Sequence, residues 1–165
     1  MSLRVTSQTA RAAAASLLEQ GLNLPEKPEE ESIPFIPVDI STVEDGDLMS
    51  LFAELTAWCD YANTQLALAK VAEREAEKLQ SRTEAKYMAA QGIGKGERVT
   101  AVKAQVAAMP EVIRAAQAVD TAYAYRSLTE SIYENLERDI ALVSRELTRR
   151  TANGNTNYRK RSATA

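Results

Sequence analysis

The sequence has no histidine and a single cysteine, Cys59, among its 165 residues. Without histidine the chain cannot build a Ser-His-Asp or Cys-His catalytic site or a histidine-ligated zinc site. One cysteine cannot form an internal disulfide, and a lone thiol is typical of proteins from a reducing compartment. We therefore expect a binding protein and not an enzyme, with no metal and no cofactor.

Long apolar runs are missing as well. No run approaches the roughly 18 residues that a membrane span requires, and the N-terminus lacks the compact apolar core of a signal peptide. These absences predict a soluble protein with no membrane partner, located in the cytoplasm. For a chain encoded by a phage, that is the cytoplasm of the host bacterium.

Proline and glycine are scarce and clustered, and the clusters predict the domain boundaries. Four of the five prolines lie between residues 25 and 38, and three of the six glycines lie between residues 92 and 96. Gly21 is well placed to end a preceding helix. The predicted parts are a short N-terminal helix (1–20), an acidic proline-rich linker (21–46), a helical hairpin domain (47–150) and a basic disordered tail (151–165).

Two long segments carry the apolar spacing of helices. Leu48–Gln91 contains no proline or glycine and repeats apolar residues every three or four positions, and Glu111–Arg150 does the same. The glycines between them predict a turn, followed by a short helix that is interrupted at Met109-Pro110. The predicted fold class is all-α: a long antiparallel helical hairpin with a short helix after the turn, oligomerising through its apolar faces.

Details of packing follow from the same pattern. Ser41-Thr42-Val43-Glu44 has the form of a capping box, so the first long helix should begin between residues 41 and 48. Its apolar stripe should be buried from Leu48 to Leu79, with the large residues of both helices meeting at the end away from the turn. The apolar stretch Ile33–Val38 has two open interpretations, a strap on its own subunit or an arm that reaches a neighbour.

Charge is distributed unevenly along the chain. Residues 21–47 carry eight acids and one lysine, whereas residues 145–165 carry six bases and one acid. The basic tail, with Tyr158 and Arg159-Lys160-Arg161, can contact nucleic acid or can simply aid solubility. The sequence leaves both interpretations open.

A base stands at every fourth position of the first long helix. Four residues advance a helix by about 400°, so each base lies about 40° round from the previous one, and five bases form a winding ridge about 24 Å long. Such a ridge suits a phosphate backbone, and an aromatic ring among bases is typical of single-strand binders. The bases are Lys70, Arg74, Lys78, Arg82 and Lys86. The candidate site residues are Lys78, Arg82, Lys86, Lys95 and Arg98 for phosphates, and Tyr87 for stacking on a base.

A plainer interpretation competes with this site. Four glutamates interleave with the ridge and could pair with its bases at spacings of three and four, as on an ordinary solvated helix face. They are Glu73, Glu75, Glu77 and Glu84. The aromatic residues Trp58, Tyr61, Tyr123, Tyr125 and Tyr133 fall beside the apolar stripes, which predicts core and subunit interface and not a base-stacking platform.

The order of parts between Asp47 and Arg150 resembles the UvsY family of phage recombination mediators. The shared layout is a long helix with tryptophan and tyrosine in its early turns, a basic run into a glycine turn, a short lysine-bearing helix, a break and a tyrosine-containing return helix. In that family a basic-Ala-basic element precedes the glycine turn and contacts DNA. The matching place here reads Glu84-Ala85-Lys86, with Arg82 as the candidate for the second charge.

This resemblance implies a ring-like homo-oligomer that binds single-stranded DNA. It further implies that the protein helps to load a RecA-like recombinase and to displace single-strand binding protein. The alternative is a phage scaffolding or assembly protein, a helical coiled coil that binds only other proteins. An oligonucleotide titration would separate the two.

Overall fold

The computed structural model describes the backbone of residues 7–91 and 99–163, and the side chains as far as Asn153. Within these ranges the chain is all-helical and contains no strand. Its elements are α1 (Gln8–Glu19), a short 3-10 helix (Ile40–Thr42), α2 (Asp45–Gln91), α3 (Val99–Ala107) and α4 (Pro110–Ala163). The all-α prediction is confirmed, and the two long helices α2 and α4 pack against each other.

The chain divides into two compact units, each containing part of α2 and part of α4. Unit 1 comprises Met1–Asn23 and Gln65–Glu130, and unit 2 comprises Leu24–Thr64 and Ser131–Ala165. Each unit has its own apolar cluster, because the apolar stripe of each long helix continues through both.

In unit 2 the large apolar residues of α2 and α4 form the core. Leu48, Leu55, Leu136 and Val143 are essentially inaccessible to solvent. Trp58 and Ala62 complete the buried set, and Tyr133 and Leu147 are among the residues packed around it. The prediction that bulky residues of the two helices would meet in this region is confirmed.

The proline-rich segment lies along the core of unit 2. Ile36, Ile40 and Val43 pack against the buried cluster, whereas Phe35 is 81% exposed and Val38 is fully exposed. Of the two interpretations of the stretch Ile33–Val38, the strap on its own subunit therefore holds for Ile36. The side chains of Phe35 and Val38 are thus left largely uncovered by the described residues.

Arg150 ties this strap to α4. Its guanidinium donates to the carbonyl oxygens of Val43 at 2.7 Å, Ile40 at 3.0 Å and Ser41 at 3.2 Å. It also donates to the Asp45 carboxylate at 2.6 Å and to Glu146 at 2.7 Å. A planar guanidinium has enough donors for several carbonyls at once, so one side chain fixes the start of α2.

Two predictions about helix ends in this region are wrong. Ser41 does not form a capping box, because Ser41 and Thr42 lie in the 3-10 helix, where the Ser41 hydroxyl donates to Asp39 at 2.6 Å. The second wrong prediction is that of a disordered tail from residue 151, because α4 continues to Ala163. No proline follows Pro110, so nothing blocks the addition of one hydrogen bond per residue beyond Arg150. Arg150, the last residue of the predicted helix, therefore lies within α4 and not at its C-terminus.

In unit 1, α2 and α4 run antiparallel. Lys70 pairs with Glu130 and Glu73 pairs with Arg126, so residue numbers rise along α2 as they fall along α4. The short helix α3 buries Val102 and Val106 against Val112, with Tyr87, Met88 and Met109 packed around them. Pro110 occupies the first position of α4, where its missing N–H costs no hydrogen bond.

Helix α1 belongs to unit 1 and ends in the way that its glycine predicted. Gly21 has a φ of 79°, a conformation that glycine adopts without steric cost. The Leu22 N–H bonds to the Leu17 carbonyl at 2.9 Å and the Gly21 N–H to the Leu18 carbonyl at 3.0 Å, which is a Schellman motif.

One apolar position in unit 1 departs from the prediction. Leu79 was expected to be buried in the stripe of α2 but is 58% exposed. The facing part of α4 presents Ala115 and Ala118, which line a groove together with Leu79 and are too small to cover its side chain. Alanine in the seam therefore leaves a groove here.

Candidate nucleic-acid interface

The five bases of the ridge all lie on the part of α2 that belongs to unit 1. Lys70, Arg74, Lys78, Arg82 and Lys86 are each exposed to solvent. Successive bases are separated by about 6 Å along the helix axis, because each residue of an α helix rises about 1.5 Å. The sequence-predicted spacing is therefore present on the surface of unit 1 as a row of accessible cations.

The glutamates between these bases decide whether the cations are available. An interleaved glutamate that pairs with a ridge base would neutralise it, whereas a glutamate held by another group would not. The structure gives three of the four glutamates a partner outside the ridge.

Glu73 is held by α4. Its carboxylate lies 2.6 Å from the Arg126 guanidinium, and both side chains are largely buried. Arg126 also pairs with Glu130 at 2.7 Å and lies over the Tyr123 ring at 5.0 Å. The Glu73 carboxylate is therefore turned toward α4, and the ridge bases do not use it.

Glu75 is held by the start of α1. The Thr9 backbone N–H donates to Glu75 Oε1 at 3.2 Å. Hydrogen bonds from the Thr9 and Ser7 side chains lower the pKa of Glu75, and Lys78 makes a smaller contribution. The first turn of α1 has no acidic residue of its own, so Glu75 supplies the negative charge that a helix N-terminus favours.

The docking of α1 is tight at this point. Ser7 is 6% exposed and Ala10 is 4% exposed, and the Ser7 hydroxyl accepts from the Ala10 N–H at 2.9 Å as the helix cap. The contact joins residues that are 66 positions apart in the sequence. The Glu75 carboxylate is thus bound by α1, which precedes the ridge in the chain.

Glu84 and Lys70 each have a partner outside the ridge. Glu84 accepts a hydrogen bond from the Gln80 amide at 2.9 Å. Lys70 lies 3.5 Å from Glu130, so the first base of the ridge is engaged with α4. Of the four glutamates, Glu77 alone has neither an ion pair nor a hydrogen bond to the described residues.

Four bases remain without an ion pair to any residue that the structure describes. They are Arg74, Lys78, Arg82 and Lys86. All four are exposed and follow one another at four-residue steps. None of the four interleaved glutamates forms an ion pair with a ridge base among the described residues, and Lys70 is paired with Glu130 of α4 instead.

The sequence-predicted site residues have different positions in the structure. Lys78, Arg82 and Lys86 are exposed on α2. Tyr87 is half-buried, because part of its ring packs with the cluster around α3. Lys95 and Arg98 lie outside the described residues.

Tyr87 interacts with Glu111 across the helix pair. The interaction with Glu111 raises the pKa of Tyr87, and the pKa of Glu111 is lowered first by a hydrogen bond from its own backbone N–H and then by the Tyr87 hydroxyl. Glu111 also lies 3.2 Å from Arg114. A base could stack only on the part of the Tyr87 ring that the α3 cluster leaves open.

Arg114 is a cation of this region that the sequence analysis missed. It lines the same groove as Lys86, although the two residues are 28 positions apart in the sequence. The signal was the antiparallel return, which places the first turns of α4 beside the last turns of α2. Pro110, at the start of α4, fixes where those turns begin.

The other candidate features give mixed outcomes. Trp58 and Tyr61 form an edge-to-face pair at 6.1 Å in unit 2, where Tyr133 packs on the core, as predicted. Tyr123 is 55% exposed in unit 1, so it does not belong to the core of the single chain, and its place in a subunit interface stays a prediction. Its ring instead lies against Arg126, which holds the side chain at the surface of α4. The tail bases Arg159-Lys160-Arg161 belong to α4, but their side chains lie outside the described part of the structure.

In residues 7–91 and 99–153 no group of three acidic or cysteine side chains could hold a metal ion. No helix in the described part of the chain combines the length and apolar character needed to cross a bilayer. Comparisons of the chain with protein-family models, curated proteins and solved structures give no significant match.

Proposed function

We propose that the protein binds single-stranded DNA through the ridge on α2 and acts as a recombination mediator. The observation that carries the proposal is that Arg74, Lys78, Arg82 and Lys86 are exposed and unpaired among the described residues, while three nearby glutamates are held by other groups. A row of free cations attracts a phosphate backbone, and the release of counterions from the nucleic acid drives binding.

The role is one of holding and transfer. The ridge would keep a single strand extended for loading of a RecA-like recombinase, while single-strand binding protein is displaced. This part of the proposal comes from the resemblance to the UvsY family, and no catalytic step belongs to it. Lys95 and Arg98, which follow the ridge in the sequence, are proposed as further phosphate contacts.

Assembly into a homo-oligomer, ring-like as the resemblance implies, belongs to the same proposal. Several large apolar side chains remain exposed in a single chain, among them Phe35 at 81%, Leu128 at 67% and Met49 at 55%. Burying such residues between subunits would remove them from water. Sedimentation equilibrium measures the mass, and a monomer at micromolar concentration would contradict assembly.

The test of DNA binding is a fluorescence anisotropy titration of a labelled single-stranded oligonucleotide at 50 and 200 mM salt. We expect measurable binding at low salt that weakens steeply at high salt. No affinity at either concentration would remove the mediator proposal and favour the assembly-protein alternative. The same titration with duplex DNA measures the preference between one strand and two.

The mediator step needs a second assay. Single-stranded DNA is coated with single-strand binding protein, and ATP hydrolysis by a RecA-type recombinase is followed with and without this protein. We expect the protein to shorten the lag before hydrolysis. DNA binding without any change in the lag would leave the DNA interface in place and remove the mediator role.

A further inference from the structure

A groove of about 390 Å³ lies in unit 1, beside the last base of the ridge. Its lining is contributed by α2 and α4: Leu79, Thr83, Lys86, Tyr87, Glu111, Arg114, Ala115 and Ala118. The groove exists because alanines of α4 face an exposed leucine of α2. Its volume falls within the range of pockets that hold small organic ligands, roughly 300–1,000 Å³.

The lining combines an apolar surface with charged side chains. Leu79, Ala115 and Ala118 provide the apolar part, and Leu79 is 58% exposed although it is a large aliphatic residue. Lys86 adds a cation that has no ion pair to the described residues, whereas Arg114 is ion-paired with Glu111 at 3.2 Å. A ligand that suits this lining has a flat apolar portion and a negatively charged portion.

Tyr87 adds an aromatic surface whose orientation is fixed. Part of its ring packs with the cluster around α3, and the ring also lines the groove. This packing restricts rotation of the ring. An aromatic ring held in place at a groove is suited to stacking with a planar partner, because little side-chain freedom is lost on binding.

Lys86 belongs both to the ridge and to the groove. A strand whose phosphates follow Arg74, Lys78 and Arg82 reaches Lys86 at the next four-residue step, and there it meets the groove. A nucleotide unit combines a planar base with a phosphate on each side. Its base matches the apolar lining, and its phosphate matches Lys86.

We propose that this groove takes one base of the bound single strand, stacked on the Tyr87 ring, while Lys86 holds the neighbouring phosphate. The inference rests on the proposed function, since the ridge must first hold the strand. It adds a base-dependent contribution to a binding site that otherwise depends on charge alone.

The experiment compares two oligonucleotides of equal length and charge, one of thymidines and one of abasic spacers. Stacking of a base on an aromatic side chain raises affinity by about 5- to 150-fold, so we expect the wild-type protein to prefer the base-bearing strand by at least about fivefold. In Tyr87→Leu the ratio of the two affinities should fall to about one, and in Tyr87→Phe it should stay near the wild-type ratio.

A second variant guards against misfolding of the Tyr87 variants. Ala118→Leu adds a side chain at an exposed groove position of α4, where leucine is a good helix former, and fills the groove. The matched control is Ala124→Leu, the same change at an exposed position of α4 outside the groove lining. We expect the base preference to be lost in the first variant and kept in the second.

The outcomes separate this inference from the proposed function. Equal binding of both strands by the wild-type protein would overturn the groove assignment and leave the ridge in place. A base preference that persists in Ala118→Leu and in Tyr87→Leu would also overturn it. Binding of neither strand would remove the DNA-binding proposal itself. We expect an acidic, apolar peptide to displace neither strand. Displacement by the peptide that is lost in Ala118→Leu would instead assign the groove to a protein segment.

Discussion

Removal of two ridge bases should change the salt dependence of DNA binding by a calculable amount. Each phosphate contact on a single strand contributes about −0.7 to the slope of log affinity against log salt. Four unpaired bases therefore contribute about −2.8, which corresponds to roughly a fiftyfold loss of affinity between 50 and 200 mM salt. The double variant Arg82→Ala with Lys86→Ala keeps two of the four, so its slope should be smaller by about 1.4.

The assay is the anisotropy titration of a labelled oligonucleotide at five salt concentrations. The matched control is Arg138→Ala with Arg145→Ala, which removes the same charge from exposed positions of α4 in unit 2. We expect the control to keep the wild-type slope. Any contact by Lys95 or Arg98 adds to every slope alike and does not alter the difference.

Two results would refute this reasoning. The first is an unchanged slope in the ridge variant, which would show that its bases hold no phosphate. The second is an equal loss of slope in the control, which would show that binding follows net charge and not the ridge. Circular dichroism of each variant checks that the helices are intact.

Three further predictions concern α1 and unit 2. Thr9→Pro removes the backbone N–H that bonds Glu75, at a first-turn position that tolerates proline. Glu75 should then approach Lys78 and lower the salt slope of DNA binding by up to about 0.7. An unchanged slope would count against the role of α1. Leu136→Ala should cost about 2–5 kcal/mol of unfolding free energy, since the side chain is 1% exposed; a denaturant titration that gives less than about 1 kcal/mol would contradict the packing. Arg149 and Arg150 lower the pKa of Glu146 to about 2 from 4.5. Because the pKa of Glu146 is lower in the folded state, this stabilisation is present above about pH 4.5 and is lost as the pH falls toward 2. The melting temperature of Glu146→Gln should therefore depend less on pH in that window than that of the wild type. An equal pH dependence would refute the contribution of Glu146.

Much of the fold follows from the sequence because its punctuation is clear. Leu48–Gln91 has no proline or glycine, and the observed helix α2 differs from it by only three residues at its start. Pro110 begins α4, as the preference of proline for a first helical turn indicates. The packing of bulky residues in unit 2 follows from their helical spacing.

The pairing of charges could not be predicted in the same way. The spacing of Glu73 and Glu75 fits pairing with ridge bases at three or four residues, but Arg126 and the start of α1 compete for the same carboxylates. Those partners are distant in sequence, and Thr9 shows no acidic or basic side chain that would point to Glu75. Only the folded arrangement shows which partner holds each carboxylate.

The groove was equally invisible in the sequence. Leu79 continues the apolar stripe of α2, and its exposure depends on the small size of the facing residues Ala115 and Ala118. The register of α2 against α4 determines that juxtaposition. Arg114 joined the candidate site for the same reason.

The central claim is that ridge bases bind phosphate where no carboxylate neutralises them. Lys70 and Lys78 test it within one helix, because both are exposed lysines of α2 and, among the described residues, only Lys70 is ion-paired, to Glu130 at 3.5 Å. The measurement is the salt slope of oligonucleotide binding for Lys70→Ala and for Lys78→Ala. The account predicts a slope smaller by about 0.7 for Lys78→Ala and the wild-type slope for Lys70→Ala; equal effects of the two substitutions would contradict it.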